Sequence, residues 1–262
     1  MRILSIIKRI SPVCASVVIV IGVVFVGGVA AQAAAKTSTN SKTNVESVPP
    51  TNSTTSTTTA AQQRLANIIS KGDQEITRRI NNLTSVQSKI TATTKLTASD
   101  QSTLSAEVSS EISGLTALKA QLDSSTTVSA AIVDVQDMFS EYRVYALVLP
   151  KVDLVKTSDD QLTTEGKLTT LAQKLQTRIT AEKTAGKDVT TLQADLNAMT
   201  SSIASAQGIS NSIENTTISL QPSDYDSNHS VLSGDVAQLK TALADEKSAY
   251  GEAKTIIEAL KS

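Results

Sequence analysis

Between residues 60 and 262 the apolar residues recur at three- and four-residue intervals, and that spacing confines the chain to packed helices. Ile69, Ile76, Leu83 and Ile90 repeat every seven residues, with Leu65 and Val86 interleaved. This is a heptad seam, interrupted where Gly72 and Arg79 replace apolar residues. Leu104, Val108, Ile112, Leu115, Leu118 and Leu122 line a second helical face after a break near Thr97 to Ser99. A turn at DSSTT, residues 123 to 127, leads to a third face that starts with Val128, Ile132, Val135, Phe139 and Tyr142.

The plan then repeats. Leu162, Leu168, Leu171, Leu175 and Ile179 define one helix, punctuated by Gly186-Lys187-Asp188. Val189, Leu192, Leu196, Met199 and Ile203 define the next, and a loop containing Pro222 precedes a last helix carrying Leu232, Val236, Leu239, Leu243, Tyr250, Ile257 and Leu260. Thr59-Ala60-Ala61-Gln62 and Ser158-Asp159-Asp160-Gln161 read as capping boxes that open the two halves. Short breaks between long amphipathic helices favour antiparallel neighbours. The expected fold is all-α, with two tandem antiparallel three-helix coiled-coil bundles over residues 60–150 and 151–262.

The residues before the bundles set an expected location. Arg2, Lys8 and Arg9 precede an uncharged apolar run from Val13 to Ala31, and Ala31-Gln32-Ala33 has the small-x-small form of a cleavage site. The run also has the length of a span of ~30 Å of hydrocarbon. Residues 1–33 are therefore read as a signal peptide or a membrane anchor, and either reading exports the chain beyond them. Residues 34–59 are rich in Ser, Thr, Asn and Pro and are expected to form a disordered stalk. Cys14, the sole cysteine, lies in the leader, so the exported part has no disulfide framework. Without the leader's three basic residues, 21 basic side chains face 25 acidic ones, which offers no basic stripe to nucleic acid.

Catalytic constellations are scarce. His229 is the only histidine, which excludes a two-histidine metal site within one chain. Gly166-Lys167 and Gly186-Lys187 lack the upstream glycine of a phosphate loop. Residues 224 to 235, DYDSNHSVLSGD, resemble an EF-hand loop but place His229 where the tight turn needs glycine, and Asp235 where a bidentate glutamate belongs. They are read as a loop in which Ser227 or Asn228 caps the last helix. Asp134, Asp137 and Glu141 share one helix face, read as solvated. No enzymatic activity, cofactor or metal is expected.

One stretch stands apart. Of the five aromatics beyond the leader, Phe139, Tyr142 and Tyr145 fall within seven residues, in FSEYRVYALVLPKV. Pro150 disfavours helix at Leu149, so the third helix is expected to end there, with both bundles closing over an element apolar on all sides. Were part of it exposed, Tyr142, Arg143 and Tyr145 would form a partner-binding patch. YRVYALVLPKV and SDYDSNHSVLSGD, together with the leader and stalk, resemble uncharacterised exported helical proteins of reduced-genome bacteria. That resemblance implies export and helical architecture, and no activity. The expected function is a non-enzymatic cell-envelope spacer, scaffold or partner-binding module. The alternative is a surface adhesin that binds through residues 139–155 or the 216–230 loop. An envelope protein partner or a second copy of the chain is the expected contact.

Overall fold

The computed structural model describes residues 53–261, so the leader, Cys14 and the start of the stalk lie outside the described residues. The fold is all-α. Helices α1 (Ser53–Ala92), α2 (Ala98–Asp123) and α3 (Val128–Ser140) are followed by a π-helical turn, Val144–Val148. Helices α4 (Leu149–Thr184), α5 (Thr190–Ile218), the short α6 (Pro222–Ser227) and α7 (Asp235–Ala259) complete it. None of the described helices is long and apolar enough to cross a membrane.

Local chemistry explains most boundaries. Thr97 caps α2 by accepting from the Asp100 N–H, and Thr127 caps α3 by accepting from the Ala130 N–H. Gly186 ends α4 at φ +82°, a left-handed geometry that glycine adopts without a Cβ clash. Three boundaries differ from expectation. Thr59 lies inside α1, and residues 53–59 of the expected stalk are helical. Ser158 lies inside α4, where Ser158, Asp159 and Gln161 are buried and face neighbouring helices, so the second capping box opens nothing. Pro150 starts a helix. In the first turn of α4 its missing N–H is one that no helix satisfies internally, so the residue costs little there.

Residues Gln62–Ser262 make one compact unit, and α4 begins at Leu149, next to position 150, where the sequence divides two bundles. Ile76, Leu83 and Ile90 of α1 pack with Leu104, Leu115 and Leu122 of α2 and with Met138 of α3. Val144, Val148, Val152 and Val155 extend that same core through the π-turn into α4. Leu154, one step round α4, packs instead with Ile213 of α5 and Leu239 of α7. Helices α4, α5 and α7 all touch one another. Each fully buried Leu or Ile contributes ~1.5–3 kcal/mol, which makes these apolar seams the main source of cohesion.

The interruptions in the α1 seam have physical uses. Gly72 is buried, and a Cβ built on it would stand 2.5 Å from Leu122 Cδ2 and 3.0 Å from Val135 Cγ2. Its hydrogen is what lets α1 approach this closely. Lys151, wholly buried, donates to the Leu220 carbonyl at 2.7 Å and pairs with Glu107 at 2.6 Å. One ammonium thus ties α4 to α2 and to the end of α5.

Candidate interaction surface

Arg79, the second interruption, defines a surface. Its guanidinium lies 4.7 Å from the Phe139 ring centre and 5.0 Å from that of Tyr145, within cation–π range of both. Arg78 lies 4.8 Å from the Tyr145 ring. Glu75 accepts hydrogen bonds from both arginines, and the bond from Arg78 is the main reason its carboxyl is held below the usual value. Phe139 caps this stack and leaves nearly half its surface, 48%, in solvent.

The three residues singled out from sequence diverge. Tyr142 is half-buried against Gly114, where a Cβ would come within 2.6 Å of its ring, and burial raises its phenol pKa. Tyr145 is half-buried, and its hydroxyl accepts from Asn82 Nδ2 at 2.7 Å. Arg143 has φ +40°, the only positive φ outside glycine among the described residues. That conformation costs ~1–3 kcal/mol and persists only where surroundings enforce it. Here its carbonyl accepts from the Leu147 N–H at 2.8 Å and from the Val148 N–H at 3.3 Å, the second being the five-residue bond of the π-turn, and its Nε donates to Asp226 Oδ1 at 2.7 Å. The guanidinium also lies 5.5 Å from the Tyr225 ring. The junction and the 216–230 loop, nominated separately by sequence, therefore meet at one ion pair.

Two depressions flank Asn82. One, about 560 Å³, is an open groove lined by Asp73, Gln74, Thr77, Arg78, Asn81 and Lys119. The other, about 280 Å³, has an apolar lining of Val86, Ile90, Leu96, Leu149 and Val152, with Lys89, Lys156 and Asp153 also lining it. An apolar floor edged by two lysines and one aspartate suits an apolar side chain flanked by polar or charged groups.

The acidic residues elsewhere depart from expectation. Asp134 is buried, and accepts from Gln121 Nε2 at 2.5 Å and Ser125 Oγ at 2.7 Å, because α3 turns that face toward the end of α2. In residues 224–235, Asp224 caps α6 through the Gln221 N–H, Asp226 holds Arg143, and Asp235 pairs with Thr217. Each carboxylate is engaged separately, so no EF-hand loop forms. Gly234 stands at the N-cap of α7, while Asn228 ends α6. His229 stacks edge-on against Tyr225, ring centres 5.0 Å apart. Sequence reasoning missed Phe139 as the exposed aromatic and Arg79 as its partner. The signal was present in the broken heptad at Arg79. No family model matches the chain, and no curated protein or solved structure matches it.

Proposed function

We propose that this chain is a non-enzymatic, exported helical scaffold of two tandem bundles that binds a protein partner through the surface around Phe139. The observation that carries this reading is the half-exposed Phe139 ring stacked over Arg79 of α1, the same helix whose Asn82 lines a cleft with an apolar floor. A fixed aromatic next to arginine loses little entropy on contact, the combination enriched among residues that dominate interface energies. The partner that fits is a protein segment carrying an apolar side chain flanked by polar or charged groups. A cell-envelope protein or a second copy of the chain would meet that description.

A second reading, an adhesin that uses the junction and the 216–230 loop together, is favoured by the Arg143–Asp226 pair that joins them. One experiment separates the two. The full chain is used to capture partners from envelope extract, and Phe139→Ala is compared with Tyr225→Ala, with helicity followed by circular dichroism. Loss of a specific partner with Phe139→Ala at unchanged helicity supports the scaffold surface. Loss with Tyr225→Ala alone transfers the site to the loop. Retention by both variants overturns the surface.

A further inference from the structure

Asp100 in the first turn of α2, Asp159 in α4 and Glu214 in α5 bring one carboxylate oxygen each to within 4.8 Å of one another. Asp100 and Asp159 are buried and Glu214 is half-buried. Calcium holds its oxygen ligands at 2.3–2.6 Å, so two ligands on opposite sides of the ion stand about 4.8 Å apart. The three oxygens therefore already lie within one coordination sphere. We propose that Asp100, Asp159 and Glu214 bind a hard divalent cation of the calcium and magnesium class, linking α2, α4 and α5.

An acidic cluster alone would not carry this. The independent observation is Asp159 Oδ1, which has no hydrogen-bond partner although the residue is only 2% exposed. A buried carboxylate oxygen without a donor is a position that asks for positive charge. Its other oxygen, Oδ2, accepts from the Thr97 N–H at 2.7 Å, which fixes the carboxylate's orientation. Thr97 Oγ1 donates to Asp100 Oδ2 at 2.8 Å, so the same residue orients both aspartates. Lys95, the lysine nearest Asp100 in sequence, is engaged by Asp160. An all-carboxylate donor set selects calcium, magnesium or manganese over softer metals.

Protons are the competing occupant. Burial raises Asp159 to about 6 and Glu214 to about 7, and Asp100 adds to both, by repulsion and by standing close enough to share a proton with each carboxyl. The two occupants predict different salt responses. The full chain is melted at about pH 7.5, with chelator or with calcium up to ~10 mM, above the range of weak extracellular modules. Sodium chloride of matched ionic strength is the control. Terbium luminescence, displaced by calcium, reports the site directly. Wild type is expected to gain melting temperature saturably in calcium and not in sodium chloride. Asp159→Asn and Glu214→Gln, nearly isosteric, are expected to stay helical, to melt in chelator no lower than wild type, and to bind terbium about tenfold or more weakly. Absence of any calcium shift and of terbium binding to wild type overturns the site without recourse to variants. A shift that survives in both variants overturns it too, since the ion then sits elsewhere.

Discussion

Glu246 of α7 and Glu165 of α4 face one another inside the packed helices, 2% and 0% exposed. Glu165 Oε1 accepts from Ser210 Oγ at 2.9 Å, whereas Glu165 Oε2 and Glu246 Oε1 have no partner. Burial first, then repulsion from Glu165 and Asp160, pushes the Glu246 carboxyl up from 4.5 to about 8, against a small opposing pull from Lys247. Glu165 is raised to about 7, mainly by burial. A carboxyl held above its unfolded value binds its proton more tightly in the folded state. Its contribution is therefore full below about pH 4.5 and fades as pH rises through 8.

At 1.36 kcal/mol per pH unit, the Glu246 range amounts to on the order of 5 kcal/mol. Total stabilities are only ~5–15 kcal/mol, so the effect is large. For a folded unit of this size it corresponds to about 10 °C in melting temperature. Glu111, Asp159 and Glu214 are raised in the same direction, and burial is the leading cause in each. Wild type is thus expected to melt highest in mild acid and progressively lower from pH 5 to 8.5. Glu246→Gln keeps the shape and removes the charge. It is expected to raise the melting temperature at pH 8.5 by several degrees, to change it little at pH 5, and to flatten the profile between. Circular-dichroism melts at constant ionic strength read this out. A wild-type profile that is flat or rises over that interval, or a variant parallel to it, would refute the argument from buried unpartnered carboxyls.

Gly72→Ala gains up to ~1 kcal/mol of helix propensity but forces a methyl onto the buried Leu122 and the half-buried Val135, for which ~1–3 kcal/mol is the usual cost. The expected net result is a lower urea midpoint, and a raised midpoint would show that α1 and α2 do not need this close approach. Lys151→Ala leaves Glu107 and the Leu220 carbonyl without their buried cation and should cost about 3 kcal/mol or more. Lys151→Met, of similar length and uncharged, also loses that partner, so it should recover only the part due to packing. Recovery to full wild-type stability in a denaturant titration would mean that the ion pair is dispensable.

The helical class was legible because burial of an amphipathic helix imposes a period on its own sequence. Ile76, Leu83, Ile90, Leu115, Leu122, Leu175 and Ile179 all stand on predicted faces and are all buried. The turns at 123–127 and at Gly186 were legible because their residues prefer turn geometry locally. Pro150 and Ser158 misled for a shared reason. Proline stops a helix or begins one, and Ser-x-x-Gln caps a helix or lies inside it, according to what the preceding turn does. That information sits in the tertiary structure. The candidate interaction surface was legible only in its neighbourhood: the aromatic cluster drew notice, but which ring faces solvent depends on Gly114 and Arg79 in other helices.

Helix α4 shows why polar residues inside a seam resist one-dimensional reading. Its first turns face two ways, Val152 and Val155 into the core of α1–α3 and Leu154 toward α5 and α7. Where the helix exchanges one set of neighbours for the other, its buried residues become polar: Ser158, Asp159, Gln161, Thr164 and Glu165. Asp159 takes the Thr97 N–H from the α1–α2 connection, Gln161 donates to the Leu239 carbonyl of α7 at 2.9 Å, and Glu165 holds Ser210 of α5. Apolar contacts tolerate sliding of one helix along another, whereas a buried hydrogen bond is lost on any slip and leaves an unsatisfied group that costs ~1–3 kcal/mol. The polar run therefore gives α4 one register against each neighbour. It looks like a helix start in sequence because the same side chains that cap helices are those short enough to bond backbone groups across a close contact.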